Sequence, residues 1–551
     1  MLKTKIISSL EKAFVNGNID SFDILDKISI LKNERLSFQL VFLNDGENAV
    51  TLRPVLGFSG KLAEFATVRQ IMNVPSICPY TGSHDDNFLY TEPSLCPDIL
   101  YPVDPCGRIV AGRGNLGSVW IEIDLRNAEN INSSLSGPLT LTLTENGKIL
   151  SENTLEIEII DAEIPEQTLI CTDWFHCDSL AHQYGCTVWS ERHWQIVENF
   201  AKTAVSNGIN MLLTPLLTPP LDTNPGKERL TTQLLGITVE NGEYSFDFTL
   251  VDRWIDMCDR VGIKYFEICH LFTQWGAFHA PKVVACVDGV EKRIFGWETD
   301  SADPEYVHFL RAMLTQFIAH MKERGDDRRC FFHISDEPLE AHLESYKKAI
   351  AVVADLLEGY KIIDACSHVE YYLEGIITNP IPANDMITPF LENNVPDLWT
   401  YYCCVQSKKV SNRFMAMPAW RNRVLGLQMF KYDIVGFLHW GYNFYNSERS
   451  VHPVIPFVEA GAEHAFPDGD SFSVYPASDG TALESTRIVV FHEALQDMRV
   501  MQLAEKLCGR EAVINALENE LGNIAFDRCP KSAAPLLRAR ERINKMIKDN
   551  L

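Results

Sequence analysis

Two acids stand side by side at Asp336-Glu337, inside Ser335-Asp336-Glu337-Pro338, directly after the apolar run Cys330-Phe331-Phe332-His333-Ile334. A strand that runs into adjacent carboxylates is costly to fold unless the acids are used. Two uses compete. Ser335 or Asp336 could cap a helix that opens at Pro338, with acids favoured in its first turn. Alternatively, the pair could share proton-transfer and charge-stabilising work in catalysis. Capping needs only one acid, which leaves the second unexplained. A regular strand sends neighbouring side chains to opposite faces, so both acids reach one ligand only if the backbone turns irregular there.

The rhythm after Ile164-Pro165 supplies a frame for them. Short apolar runs at 168–177, 209–215, 263–270, 329–335, 360–366, 375–381, 397–404 and 434–440 alternate with amphipathic stretches. Helices are predicted at 190–207, 250–261, 304–324, 338–358, 411–432 and 484–506. Eight such units predict a (β/α)8 barrel of the TIM type over 166–508, its fifth and sixth units the least defined. The region 1–165 carries alternating strands such as Leu36–Phe42, Ser118–Ile123 and Leu139–Leu143, with turns at Asn44-Asp45-Gly46, Ser136-Gly137-Pro138 and Glu145-Asn146-Gly147. That pattern predicts an N-terminal β-sandwich. The remainder, 509–551, reads as a short C-terminal helical extension.

Barrel sites form at the carboxyl ends of the strands. Those ends carry His176 on the first strand, His270 with Trp275 on the third, and His333 with the acidic pair on the fourth. Tyr401-Tyr402 end the seventh, and Trp440 with Asn443 the eighth. Aromatic faces, amides and acids together suit a sugar, with rings covering its apolar faces and polar groups bonding its hydroxyls. A lone Trp is more often core, and Glu267, inside the third strand, is expected to pair within the barrel. The His residues come from separate strands without ligand spacing, so no metal is predicted. No Gly-x-Gly-x-x-Gly, P-loop or nucleophile-elbow motif is present, and no cofactor is expected.

Composition narrows the partners. Over 551 residues the net charge is −25, from 74 acidic against 49 basic side chains. Such a surface repels phosphate backbones and anionic lipid, so neither nucleic acid nor membrane is an expected partner. The basic residues near Met1 are not followed by a sustained apolar run, and a cytoplasmic location is expected. The 15 Cys are scattered, with one adjacent pair at Cys403-Cys404. They read as reduced thiols. Oligomeric state is not legible.

Taken together, Leu213–Thr223, His270–Ala277, Phe332–Pro338 and Gly436–Gly441 resemble glycoside hydrolase family 123, whose catalytic part is also known as domain of unknown function 4091. Ser485-Thr486-Arg487 and Glu493–Asp497 extend the likeness, which spans roughly 35–505 and includes the sandwich. The resemblance implies a retaining exo-β-N-acetylgalactosaminidase in which the substrate's own 2-acetamido oxygen attacks the anomeric carbon, giving an oxazolinium-type intermediate. Asp336 would match the residue that orients the acetamido group. Glu337 would match the general acid and base. A double-displacement enzyme needs a second carboxylate about 5–5.5 Å from the acid; in many glycosidases of similar architecture it ends the seventh strand. Here that strand ends in Tyr401-Tyr402-Cys403-Cys404. A Tyr there, Tyr401 rather than Tyr402, could donate to the acetamido oxygen. The substrate expected is a terminal β-N-acetylgalactosaminide. The alternatives are a glycosidase of the same scaffold for another β-linked sugar, such as N-acetylglucosamine, and a non-catalytic carbohydrate-binding protein.

Overall fold

Eight short parallel strands, nearly all buried, form the centre of the computed structural model, which describes residues 2–46, 51–104, 106–223 and 227–551. In chain order they are Ile170–Asp173, Met211–Thr214, Tyr265–Ile268, Cys330–Phe332, Lys361–Ala365, Asn379–Ile381, Trp399–Tyr401 and Gly436–His439. Each falls inside one of the eight predicted runs. Their side chains are near-continuous apolar runs, as expected of a parallel sheet covered on both faces. The ladder runs six-five-four-three-two-one-eight-seven. A parallel bridge between Ala383 and Tyr401 closes the ring, with the Tyr401 N–H donating to Pro382 O at 3.1 Å. At Gly436 no side chain fits: a Cβ would lie 2.0 Å from the Trp399 ring.

Most predicted helices form with ordinary caps. Ser190 accepts from His193 N at the head of Glu191–Ser206, Asp303 caps Pro304–Arg324, and Ser485 caps Thr486–Cys508. Two predictions differ. The stretch 338–358 becomes helical only at Leu343–Ala351 after a short turn at Glu340–His342. Glu337, at φ 43°, and its N–H bond to Ala365 O hold the chain away from helical geometry. The stretch 411–432 yields only Ala419–Arg423 and Leu425–Lys431. Pro418 disfavours helix in the residue before it, and Asn412 spends its amide on Cys403 O and Gln406 O.

The N-terminal region is two antiparallel-rich sheets. One holds Leu2–Ser8, Arg35–Asn44, Leu116–Asp124, Ala66–Ser76 and Ser94–Pro102; the other holds Lys27–Leu31, Lys148–Ile160, Gly137–Glu145 and Val55–Ser59. Leu40, Val119 and Ile121 from the first pack with Leu141, Leu155 and Ile157 from the second in one core. A buried ionic lattice joins this sandwich to the barrel: Arg35 and Arg69 both pair with Glu122 and with Glu484. Arg487, opening the last barrel helix, pairs with Asp98 at 2.9 Å. The C-terminal helices Arg510–Leu521 and Ala533–Asp549 clasp both parts, with Arg540 bonded to Glu34 and to Asp497 at 2.6 Å each.

One element escaped the sequence pattern. Gly236–Glu240, Glu243–Asp247, Val283–Val287 and Val290–Phe295 form a four-stranded sheet from the loops after the second and third barrel strands. Its hairpins turn at Asn241-Gly242 and Asp288-Gly289, all at positive φ. These dipeptides are the ones such turns require.

Candidate active site

Beyond Phe332 the fourth strand continues without regular ladder geometry. His333 O and Ile334 O accept from Leu271 and Phe272 N–H, and Asp336 O accepts from Trp275 N–H at 2.9 Å. On the other side the Ile334 and Ser335 N–H groups both donate to the Asp364 carboxylate. Glu337 then turns into the left-handed region at φ 43°. For a non-glycine residue that conformation costs of order 1–3 kcal/mol and persists only where surrounding bonds fix it. The consequence is that Asp336 and Glu337 line the same cavity. No helix begins within two residues of the pair, so neither acid is a helix cap.

Beneath the pair lies a fully buried ionic triad. His333 bonds Glu267 at 2.6 Å through Nε2 and Asp364 at 2.9 Å through Nδ1. Glu267 also accepts from the Trp174 indole at 2.7 Å and from Thr172 Oγ1. Asp364 further accepts from Tyr346 Oη. Every carboxylate oxygen is thus bonded, which is what a buried charge needs. The triad ties the first, third, fourth and fifth strands together under Asp336.

The other predicted residues divide between wall and backing. Trp275, Tyr401, Trp440 and His176 line the cavity with the acids. Tyr401 Oη donates to Glu337 Oε1 at 2.8 Å. Trp440 is fixed by its indole N–H on Asp470 at 2.8 Å and by Phe444 and Phe466, 5.1 and 4.9 Å away. Trp275 is 38% exposed at the rim. His176 offers its ring but no free nitrogen. Nε2 meets Trp440 O at 2.9 Å and Nδ1 meets the Arg229 guanidinium at 3.0 Å, so Nδ1 must accept and Nε2–H must donate. By contrast, His333, His270 and Asn443 are fully buried and do not line the cavity. His270 stacks on His333 at 4.2 Å. Asn443 Oδ1 accepts from His176 N at 2.8 Å and so sets the wall rather than forming it.

Several wall residues were not foreseen. Asp222, Cys403, Cys404 and Phe466 face the same space, together with Gln274 from the expected third-strand end. Gln274 Oε1 accepts from Asp222 N at 2.8 Å, and Asp222 Oδ2 accepts from Arg449 N at 2.9 Å, linking the loops after the second, third and eighth strands. Asp222 lies inside the family-like stretch Leu213–Thr223, which was the signal available for it. Asp470 sits thirty-one residues past the eighth strand's end at His439 and carried no local signal.

The family profile described as Glycoside hydrolase 123, catalytic domain, matches residues 174–504, more than half of the chain. The chain belongs to glycoside hydrolase family 123. A solved family 123 glycoside hydrolase from Clostridium perfringens superposes with a TM-score of 0.72 at 15% identity, covering 100% of this chain and 98% of that one. A family 5 mannosidase from Rhizomucor miehei covers 60% of this chain and 94% of its own at a TM-score of 0.34 and 13% identity. No curated protein matches the sequence.

Charge in this family 123 hydrolase is set by burial and then by neighbours. Burial raises the Asp336 carboxyl well above its ordinary range, and adjacent Glu337 adds to that, while His333 pulls the other way. Burial also raises Glu337; Asp470 adds to the rise, and the Tyr401 and Trp275 donors oppose it. The cavity therefore does not favour two negative charges on the pair. Burial alone would push His333 down, but its bonds to Asp364 and Glu267 win and carry it up to about 9. His333 is an imidazolium at neutral pH. Burial and the Arg229 charge push His176 down to about 4, consistent with the neutral tautomer its bonds require. Burial raises Asp222 to about 6 against the opposing pull of Arg229. Among the described residues no group of three or more His, Cys, Asp and Glu is placed to hold a metal ion. No helix among them is long and apolar enough to cross a membrane.

Proposed function

We propose that this family 123 hydrolase is a retaining exo-β-N-acetylgalactosaminidase that uses the substrate's 2-acetamido group as its nucleophile. One observation carries the proposal: Asp336 and Glu337 open into one cavity whose seventh-strand edge is Tyr401, bonded to Glu337, in place of a carboxylate. With no acid at that edge, the internal nucleophile is the substrate's own carbonyl oxygen.

The raised Glu337 carboxyl holds the proton that the leaving oxygen needs. Tyr401 donates to Oε1, which leaves the other oxygen to carry that proton. Asp336 ionises when an acetamido N–H arrives to bond it, helped by the imidazolium beneath. Its negative charge then stabilises the positive charge that grows on the acetamido group as the ring closes. Water is activated by Glu337 in the second step, and configuration is retained after two inversions. The expectation that Tyr401 donates to the acetamido oxygen changes here. Its single proton is engaged with Glu337, so its first role is to position the acid. Trp440 and Trp275 supply apolar faces for the sugar ring.

The test is hydrolysis of aryl β-glycosides of N-acetylgalactosamine, N-acetylglucosamine and galactose by wild type, Asp336→Asn and Glu337→Gln. N-acetylgalactosaminide cleavage, lost in both variants, with the plain galactoside inert, is the expected result. Comparable galactoside turnover overturns acetamido assistance. A preference for the gluco epimer overturns the sugar assignment, and sugar binding without turnover of any glycoside overturns catalysis altogether.

A further inference from the structure

Cys403 and Cys404 stand where the seventh strand would otherwise place a carboxylate. Adjacent residues of a regular strand point to opposite faces, but the strand stops at Tyr401 and the chain turns at 404–405, so both cysteines line the cavity. Cys403 is buried, its Sγ 4.0 Å from Glu337 Oε1 and 3.3 Å from Gln406 Oε1. Cys404, the next residue, is partly exposed and lines the same cavity. Among the described residues no other cysteine lines this space. The pair thus combines an entry thiol, a buried neighbour one residue away on the same cavity wall, and a position against the acidic pair. Nothing in the proposed hydrolysis uses either sulfur.

We propose that Cys403 and Cys404 form a dithiol site that captures a soft thiophilic centre of the trivalent-arsenic class and thereby closes the cavity. An arsenic(III) oxide group, R–As=O, forms one S–As bond to each sulfur. The two thiol protons leave with the arsenic's oxygen as water, and arsenic stays trivalent, so no electron acceptor is needed. The captured group lies beside Oε1 of Glu337, within the cavity. The neighbouring Cys404 thiol, and then burial, raise the Cys403 thiol, which disfavours reagents that need a thiolate. Two-point capture is favoured instead, because the second bond forms intramolecularly at high effective concentration.

The probe is phenylarsine oxide added to the full-length protein, followed by excess 2-mercaptoethanol to strip single-thiol adducts and then intact-mass and peptide mass spectrometry. One phenylarsenic per chain, mapped to the peptide holding Cys403 and Cys404 and released by 2,3-dimercaptopropanol, is the expected result. Cys404→Ser, at a half-exposed position that tolerates the change, should retain the adduct ~10²-fold less well, the gain that two-point attachment brings. Cys403→Ser should do the same, with circular dichroism confirming its fold. Capture that survives in Cys404→Ser, or that maps to another cysteine, overturns the site. Loss of glycoside turnover on capture tests the closing of the cavity. Because mass spectrometry reads capture without turnover, failure of the hydrolase proposal and failure of the dithiol site are told apart.

Discussion

Replacing His333 with Gln keeps hydrogen-bonding capacity near Glu267 and Asp364 but removes the only cation between them. In wild type the imidazole titrates at about 9 in the folded protein, against about 6.5 when unfolded. A folded value raised above the unfolded one contributes stability that is complete below pH 6.5 and is lost as pH rises through about 9. At about 1.4 kcal/mol per unit, the full contribution is about 3 kcal/mol, of which about 2–3 kcal/mol disappears between pH 7 and pH 10. A chain of this length gains roughly 1 kcal/mol per kelvin in unfolding entropy, from ~2.1 cal/mol/K per residue, so the loss equals about 2–3 °C of Tm. The assay is thermal unfolding of wild type and His333→Gln at pH 7, 8.5 and 10. The variant should unfold at lower temperature at pH 7, since two buried carboxylates lose their counter-charge. The gap should narrow by that 2–3 °C at pH 10, where wild type has lost the proton too. Parallel Tm curves across the range would refute the assignment of His333 as a buried imidazolium. The kinetic partner of the effect is at Asp336, which the cation holds down: in the variant the acid limb of kcat/KM should move to higher pH.

Asp470→Asn keeps an oxygen for the Trp440 indole but removes the charge that raises Glu337, so the alkaline limb of the pH–rate profile should shift to lower pH while KM changes little. Tyr401→Phe removes a hydrogen bond worth about 0.5–1.5 kcal/mol to the protonated acid; kcat should fall up to ~10-fold, with Glu337 titrating higher, as a pH series of kcat reads directly. Gly441→Ala places a Cβ 2.5 Å from Asp470 O and 2.7 Å from Ser471 O, both backbone atoms. It should lower stability by about 1–3 kcal/mol in chemical unfolding and loosen Trp440 enough to raise KM. Unchanged stability there would mean that the 470–471 backbone yields freely.

The barrel was legible because its strands are apolar runs that need no partner to be recognised, and their order along the chain is their order around most of the ring. The acidic pair was legible for the opposite reason, as charge placed where a buried strand should continue. Depth was not legible. His176 and His333 both lie near strand ends, yet one faces the cavity and the other is sealed beneath it by Trp174 and Asp336. That difference arises from Asp364, a fifth-strand residue that takes two backbone N–H groups of the fourth and drags the segment into irregular geometry. Asp470 and Asp222 depend likewise on loops that fold back from a distance. The two hairpins of the extra sheet were a missed local signal, since Asn241-Gly242 and Asp288-Gly289 carry it openly.

The acids of the site make sense as a group rather than singly. The buried triad of Glu267, His333 and Asp364 lies beneath the pair, Asp470 stands behind Trp440, and Asp222 flanks the mouth. Burial first, and then Asp364 acting on Asp336 and Asp470 acting on Glu337, push both members of the pair up, so the acid keeps its proton. A neutral sugar relieves none of this. A positive charge developing on the sugar or its acetamido group relieves all of it at once, and Asp336 can then ionise at little cost. On this account the strain in the ground state and the stabilisation of the transition state have one source. Neutralising a distant member such as Asp470 should therefore slow the chemical step more than it weakens binding of an uncharged product, whereas a purely structural role would depress both alike.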